Sequence, residues 1–250
     1  MQPSPWTVER HASVTSTMDV AKARARADAP DGTVVVAEQM TAGRGTHGRV
    51  WASPPGGLYL SIVLRGLDDP HLLTLALGNA VCDALEVAGV EPRLKWVNDV
   101  MLPDLTGKGL GKKAAGILVE AESTGSRIDF LVAGIGVNVN GKVATLPAEL
   151  RATATTLEDE LGCDSCIPDL EALLLHAVEG WVKKVRDGRG REVVDAFRAR
   201  DALKGHAVVV ADGATQLRGM ADGVDDKGRL QVRGPDGARH AFATGTVRLA

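Results

Sequence analysis

The run Gly43-Arg44-Gly45-Thr46-His47-Gly48-Arg49-Val50-Trp51 follows a strand-like stretch, Val34-Val35-Val36-Ala37-Glu38, and leads into no helical pattern. That juxtaposition excludes two familiar folds. G-x-G-x-x-G spacing from Gly43 to Gly48 would mark a dinucleotide-binding unit, but such a unit needs a helix whose N-terminus faces the pyrophosphate. Here the chain continues as Trp51-Ala52-Ser53-Pro54-Pro55-Gly56-Gly57. Gly43 and Gly48 also have P-loop spacing, yet Arg49-Val50 stands where a Lys-Ser/Thr pair would bind phosphates and magnesium. What remains is a glycine-rich loop whose backbone can approach an anion closely, carrying arginine forks suited to phosphate or carboxylate. On its own the same loop could be a solvated surface turn.

The periodicity around this loop predicts a mixed α/β domain. A short helix is expected over 19–27, with the hydroxyls of Ser16 and Thr17 placed to cap its free N–H groups. Strands are expected over 33–38, 58–64, 93–96, 114–120 and 128–137, with a hairpin-like connection over 104–112. Leu72, Leu75, Leu77, Ala80, Val81, Ala84 and Leu85 recur at helical spacing over 71–88, and Leu170, Leu173, Leu174, Ala177, Val178, Trp181, Val182 and Val185 do so over 168–185. These stripes predict amphipathic helices lying across a sheet, with a further short helix over 193–200.

Beyond Lys204 the character changes. Short β-prone pieces over 208–211, 218–224, 230–233, 239–243 and 247–249 alternate with Asp-Gly, Lys-Gly and Pro-Asp-Gly turns, which predicts a small SH3-like barrel over 204–250 after a catalytic domain over 1–203.

With 250 residues, 44% of them hydrophobic, the chain can bury one sizeable core and a small appended domain. A formal net charge of −3 argues against a dedicated nucleic-acid binder, and about 15 residues before the first helical pattern leave no room for a DNA-reading module. No stretch approaches the ~20 apolar residues needed to span a bilayer, so a cytoplasmic protein is the expectation. Cys163 and Cys166 form a C-x-x-C pair without a second pair to complete a zinc site, and they read as incidental thiols.

Four polar clusters fall where strands end: Arg44 with Arg49; Lys95-Trp96-Val97-Asn98-Asp99; Lys113 before Ala114-Ala115-Gly116-Ile117-Leu118-Val119-Glu120; and Gly134-Ile135-Gly136-Val137-Asn138. Taken singly, each lysine would be an ordinary solvated side chain and Asp99 a turn-capping carboxylate. Together they suit two anions that must meet. A carboxylate attacking the α-phosphate of ATP needs cations positioned between the reactants, and Lys113 is the candidate for that bridging charge. Asp99 beside Asn98 offers hard oxygen ligands for magnesium, while Lys95 and Arg49 could neutralise departing pyrophosphate.

These motifs, with Ser16-Thr17, Gly56-Gly57-Leu58-Tyr59-Leu60-Ser61 and the continuation Val139-Asn140, occur in the order of the biotin–protein ligase family, which the chain resembles over nearly its whole length. The resemblance implies a class II aminoacyl-tRNA synthetase-like fold and the non-repressor, monofunctional branch. It also implies the joining of biotin and ATP to biotinyl-5′-AMP and transfer to a lysine of a biotin carboxyl carrier protein domain. Carried over by position, Ser16, Thr17, Met18, Met40, Gly43, Arg44, Gly45, Thr46, Trp51, Lys113, Gly116 and Gly134 would surround biotin. Arg49, Lys95, Asn98, Asp99, Lys113 and Asn138 would bind ATP, with Asp99 on Mg2+; Lys113 and Arg44 would be catalytic. Trp51 could equally be a core anchor. Sheet-edge pairing could produce a homodimer, and such ligases often dimerise, but nothing in the sequence decides it.

The chain departs from the family's pattern at Met18, where Asn is usual, at Met40 for Gln, at Thr46 for Arg and at Val97 for Pro. Gln39 sits one residue early, and a one-residue shift on a strand turns a side chain to the opposite face. These departures point to weaker contacts with the ureido ring and a less firmly held intermediate. The loop is expected to be mobile when empty and ordered over ligand. Two other readings stay open at this level: a ligase or transferase for lipoate or another short acid, and a non-catalytic biotin sensor.

Overall fold

Strand alternation decides which face of the main sheet carries chemistry. The computed structural model describes residues 5–103, 109–213 and 215–250. Strands β1 (Thr7–His11), β2 (Thr33–Ala37), β3 (Leu58–Leu64), β4 (Arg93–Lys95), β5 (Asp99–Leu102), β6 (Lys112–Thr124) and β7 (Arg127–Val137) form a seven-stranded sheet in the order β1-β2-β3-β7-β6-β5-β4. β1 pairs parallel with β2, and the other neighbours pair antiparallel. Most of the connection expected over 104–112 lies outside the described residues, since 104–108 are not among them.

On one face, Val34, Val36, Leu60, Ile62, Leu64, Ile117, Leu131, Ala133 and Ile135 join a single apolar core. On the other, Val35, Val63, Phe130 and Val132 meet helix α1 (Thr17–Arg26) through Met18, Ala21 and Ala25. The same period of two puts Ser61, Gly116, Leu118, Gly134 and Gly136 on the α1 side, where α1 leaves part of the sheet uncovered.

Helix α2 (Pro70–Val87) covers the first face. Its start is written in the sequence: Asp69 caps it, accepting from the Leu72 amide at 2.8 Å, and Pro70 follows at a position that needs no N–H. Helices α4 (Ile167–Arg186) and α5 (Gly190–Ala199) pack on α2 and complete the core through Leu170, Leu174, Val178, Val193 and Phe197. The intervening helix α3 (Leu157–Leu161) is one short turn.

Strands β8 (Ala207–Asp212), β9 (Thr215–Val224), β10 (Leu230–Arg233), β11 (Arg239–Phe242) and β12 (Thr246–Leu249) form a second, antiparallel sheet in the order β11-β10-β9-β8-β12. The turn spacing located every strand, but closure does not follow: among the described residues β11 and β12 are the two edges, and the sheet is open rather than a closed barrel. It is anchored to the main sheet. Trp96 Nε1 donates to the Gly228 carbonyl at 2.9 Å, and Leu94 exchanges backbone hydrogen bonds with Arg200 and Ala202 at 2.8 and 2.9 Å.

Among the described residues, no helix is long and apolar enough to cross a membrane, and no group of three His, Cys, Asp or Glu side chains gathers as a metal site. Cys163 and Cys166 are free and exposed.

Candidate active site

The uncovered part of the sheet is the floor of a cavity of about 520 Å³. Its walls combine the start of α1, the loop from Arg44 to Trp51, the β4–β5 turn, the first half of β6 and β12 of the second sheet. Nearly every residue singled out from the sequence lines it: Ser16, Thr17, Met18, Met40, Arg44, Gly45, Thr46, Arg49, Trp51, Lys95, Asn98, Asp99, Lys113, Gly116, Gly134 and Asn138.

Gly43 is the exception, and the reason is steric. A Cβ there would stand 2.6 Å from Ser53 Oγ, so this glycine lets the two arms of the loop approach each other and forms no part of the wall. Within the loop, Gly45 and Arg49 are bonded at 2.8 Å and a 3₁₀ turn spans Thr46–Gly48.

Glycines on β6 and β7 make a seat for the indole of Trp51. Gly116 and Gly136 lie opposite each other in the ladder, and added Cβ atoms would fall 2.9 Å from Trp51 Cζ3 and 2.7 Å from Trp51 Nε1. Any side chain at either position would displace the ring. Lys113 Nζ stands 5.0 Å from the centroid of the same ring, within cation–π range. Trp51 is therefore both an anchored aromatic and a wall of the cavity.

Lys113 is neither remote nor free. Its ammonium lies 2.5 Å from Asp99 Oδ1, while Lys95 approaches Asp99 Oδ2 at 3.2 Å. Burial would raise the Asp99 carboxyl, but Lys113 and Lys95 outweigh it and hold the group below the ordinary carboxylate range. Asn98 and Asn138 brace the site: their side-chain amides donate to the carbonyls of Ile117 at 2.8 Å and Thr155 at 3.0 Å.

At the other end, α1 begins at Thr17, two residues before the expected start, so Ser16 alone takes the cap position and its hydroxyl makes no capping bond. Ser61 Oγ donates to Thr17 Oγ1 at 2.8 Å, and the Thr17 amide and hydroxyl are 3.3 and 3.5 Å from Met40 Sδ. Gly134 makes room for Met18, whose Sδ would be 2.7 Å from an added Cβ. Gln39 is not among the lining residues, whereas Met40 is, and Gln39 lies beyond the end of β2 at Ala37.

Buried polar atoms without partners are costly, and they concentrate here. Three of the five found among the described residues, Ser16 Oγ, Arg44 Nε and Trp51 Nε1, belong to the cavity wall. Such a cavity suits a ligand with an apolar body, a polar uncharged end near Ser16 and Thr17, and an anionic end near Lys113.

Some lining residues have no distinctive sequence signal. Gly136 lies within the Gly134–Asn138 run, and its tight approach to Trp51 emerges only from the pairing of β6 with β7. Leu146, Leu150, Val247, Arg248 and Leu249 join the lining from distant segments.

Residues 11–138 match the family model described as the Biotin/lipoate A/B protein ligase family, and residues 205–249 match the Biotin protein ligase C terminal domain. The chain is 36% identical over 248 residues to the bifunctional ligase/repressor BirA of Bacillus subtilis, covering 93% of this chain and 71% of that protein. It is also 36% identical over 224 residues to the biotin–[acetyl-CoA-carboxylase] ligase of Mycobacterium tuberculosis, covering 84% and 76%. In three dimensions it resembles a biotin protein ligase from Aquifex aeolicus solved in complex with biotin and ATP, with TM-score 0.85, 28% identity and coverage of 97% and 99%.

Proposed function

The chain belongs to the biotin/lipoate A/B protein ligase family, and from that premise we propose that its cavity activates biotin with ATP and passes it to a lysine of a biotin carboxyl carrier protein domain. One observation carries the reading: the Lys113 ammonium, the Trp51 ring and the Arg44 loop converge on a single cavity whose far wall holds the unpartnered hydroxyl of Ser16.

In the first step a biotin carboxylate oxygen bonds to the α-phosphorus of ATP, and the bond to the departing pyrophosphate breaks. Both reactants are anionic, so the barrier is largely one of charge and position. Lys113, released from Asp99, meets the carboxylate and the α-phosphate together. Arg44 directs its unpartnered Nε at the ligand, while Arg49 and Lys95 neutralise pyrophosphate. In the second step the ε-amine of the carrier lysine attacks the biotinyl carbonyl, AMP leaves and the amine loses its proton. Closure of the loop limits hydrolysis of the mixed anhydride.

The other assignments belong to the same proposal: Thr17, Met18, Met40, Gly45, Thr46, Gly116 and Gly134 around biotin, and Asn98 and Asn138 around the nucleotide. Magnesium is included. A magnesium ion carried on phosphates needs only one or two protein carboxylates, and the cavity lining supplies a single acid, Asp99. Asp99 would hold the ion, which supplies neutralisation of phosphate charge. In finer architecture, we read residues 1–203 as a class II synthetase-like catalytic unit and 204–250 as an SH3-like module.

The test is pyrophosphate release with biotin, lipoate or octanoate, followed by mass analysis of a biotin carboxyl carrier domain. Biotin-dependent release and a biotinyl adduct on one carrier lysine are expected. Release driven equally by lipoate would overturn the substrate assignment, and biotin binding without release would leave a sensor.

A further inference from the structure

The cavity leaves one sequence motif unused. Cys163 and Cys166, spaced C-x-x-C, both lie exposed with free thiols, whereas Cys82 is buried in α2. Cys166 stands at the cap position of α4, and its thiol makes no capping bond. The lack of a second cysteine or histidine pair speaks against zinc but not against redox chemistry. Among the described residues no group of three His, Cys, Asp or Glu side chains gathers, so the pair offers two sulfurs and no third ligand.

The backbone fixes both flanks of the pair. On one side α3 hangs on the segment after β7, the Leu157 and Glu158 amides donating to the carbonyls of Asn138 and Val139 at 3.1 and 3.0 Å. Gly162 closes α3 directly before Cys163, its amide donating to the Glu158 carbonyl at 2.9 Å. On the other side the Cys166 carbonyl accepts from the Leu170 amide at 3.0 Å, and Ile167 packs against the main core. Between the cysteines, Asn140 holds Ser165 twice: its Nδ2 donates to the Ser165 carbonyl and its Oδ1 accepts from the Ser165 amide, both at 2.9 Å. Among the described residues, the amides of Cys163, Asp164 and Cys166 enter no backbone hydrogen bond. The stretch can therefore turn locally without giving up a backbone bond, while its ends stay tied to α3 and α4. A disulfide needs α-carbons about 4.4–6.8 Å apart, a separation that rotation within so short a step supplies.

We propose that Cys163 and Cys166 form a dithiol–disulfide site whose reaction partners are low-molecular-weight disulfides. One cysteine sulfur, its proton given to solvent, attacks a sulfur of the small disulfide; a mixed disulfide forms, and one small thiolate leaves and takes up a proton. The second cysteine sulfur then attacks the cysteine sulfur of the mixed disulfide. The protein S–S bond forms, the mixed S–S bond breaks, and the second small thiol leaves. The protein loses two electrons and two protons, and the small disulfide becomes two thiols. Exposure gives both partners access, and exposed disulfides are the readily reduced kind. The pair thus places a reversible covalent link against the segment that follows the cavity residue Asn138.

The experiment equilibrates the full chain and its Cys163→Ser and Cys166→Ser variants with oxidised and reduced glutathione. Acid quenching and alkylation precede intact and peptide mass measurement. Wild type should lose two hydrogens within 163–166 and retain no glutathione, with Cys82 still reduced. Each single variant should retain one glutathione on its remaining cysteine, because nothing resolves the mixed disulfide. Stoichiometry supplies a second reading. At a fixed glutathione ratio, diluting total glutathione about tenfold should raise the disulfide-to-dithiol ratio of wild type about tenfold, since two thiols are released for each bond formed; a mixed disulfide would not respond. Wild type that retains glutathione, links to a second chain, or stays a dithiol under excess oxidised glutathione overturns the proposal. Failure of excess reduced glutathione to restore the dithiol also overturns it. Both substituted positions are exposed, so thermal unfolding of the variants should match reduced wild type. The outcome does not depend on the ligase reading, which pyrophosphate release tests separately.

Discussion

The Lys113 ammonium and the Asp99 carboxylate are paired at 2.5 Å, so the proposed catalytic cation is stored on an acid until an anionic substrate competes for it. Both line one cavity, and neither can be altered without changing the charge seen by the other.

Lys113→Ala is expected to lower the rate of adenylate formation by about a hundredfold or more, the scale found when one preorganised charge-stabilising donor is removed. Biotin binding should weaken far less, because the polar end near Ser16 is untouched. Single-turnover pyrophosphate release beside calorimetric biotin titration separates the two effects. Wild-type adenylation in the variant would mean that Lys113 has been given the wrong role.

Asp99 also links the site to pH. Its folded-state carboxyl titrates below its ordinary 3.8. Its stabilising contribution is therefore complete above that value and is lost as pH falls through the lower folded value. Between these limits wild type should lose stability with acid more steeply than Asp99→Asn. Thermal midpoints measured across this acid window check the difference, and parallel profiles would contradict it.

Met40 tests the specificity of the polar end. Its sulfur accepts weakly from Thr17, where the family pattern has an amide side chain. Met40→Gln should tighten biotin binding by about fivefold to tenfold, the net worth of one hydrogen bond. Unchanged or weaker binding would show that the head group does not reach Met40.

Gly136→Ala places a methyl group 2.7 Å from Trp51 Nε1, closer than such atoms can approach. The indole must move, at a cost of about 1–3 kcal/mol for overpacking. A lower thermal midpoint together with weaker biotin binding is expected. Full binding in a destabilised variant would reduce Trp51 to an anchor.

Thr46→Arg restores a permanent charge on the loop facing the cavity. The half-life of the enzyme-bound adenylate should lengthen, and release of free biotinyl-AMP before transfer should fall. A rapid-filtration assay reads both, and equal retention by wild type and variant would remove the role given to position 46.

The long apolar stripes of α2 and α4 and the buried strands β2, β3 and β7 were legible because each carries a strong period set by burial. β1 was missed because Thr7–His11 is an edge strand largely open to solvent, with no apolar alternation to reveal it. α3 did carry a signal: Thr156 caps it by accepting from the Asp159 amide at 3.1 Å, and Gly162 ends it at φ 75°. At the site, the residue types were visible but their pairings were not. Ser16 stands where a cap is expected, yet the fold buries its hydroxyl at the cavity and leaves the helix end uncapped. Arg248 could not be found from its neighbours, because it joins the cavity lining only through the placement of β12 in the second sheet.

Biotin-dependent exchange of labelled pyrophosphate into ATP tests the central claim most directly, since it reports the reversible joining of the carboxylate to the α-phosphate without any carrier. The account predicts exchange that requires biotin and is lost in Lys113→Ala. Exchange that proceeds without biotin, or its absence in wild type with biotin, ATP and magnesium present, would contradict it.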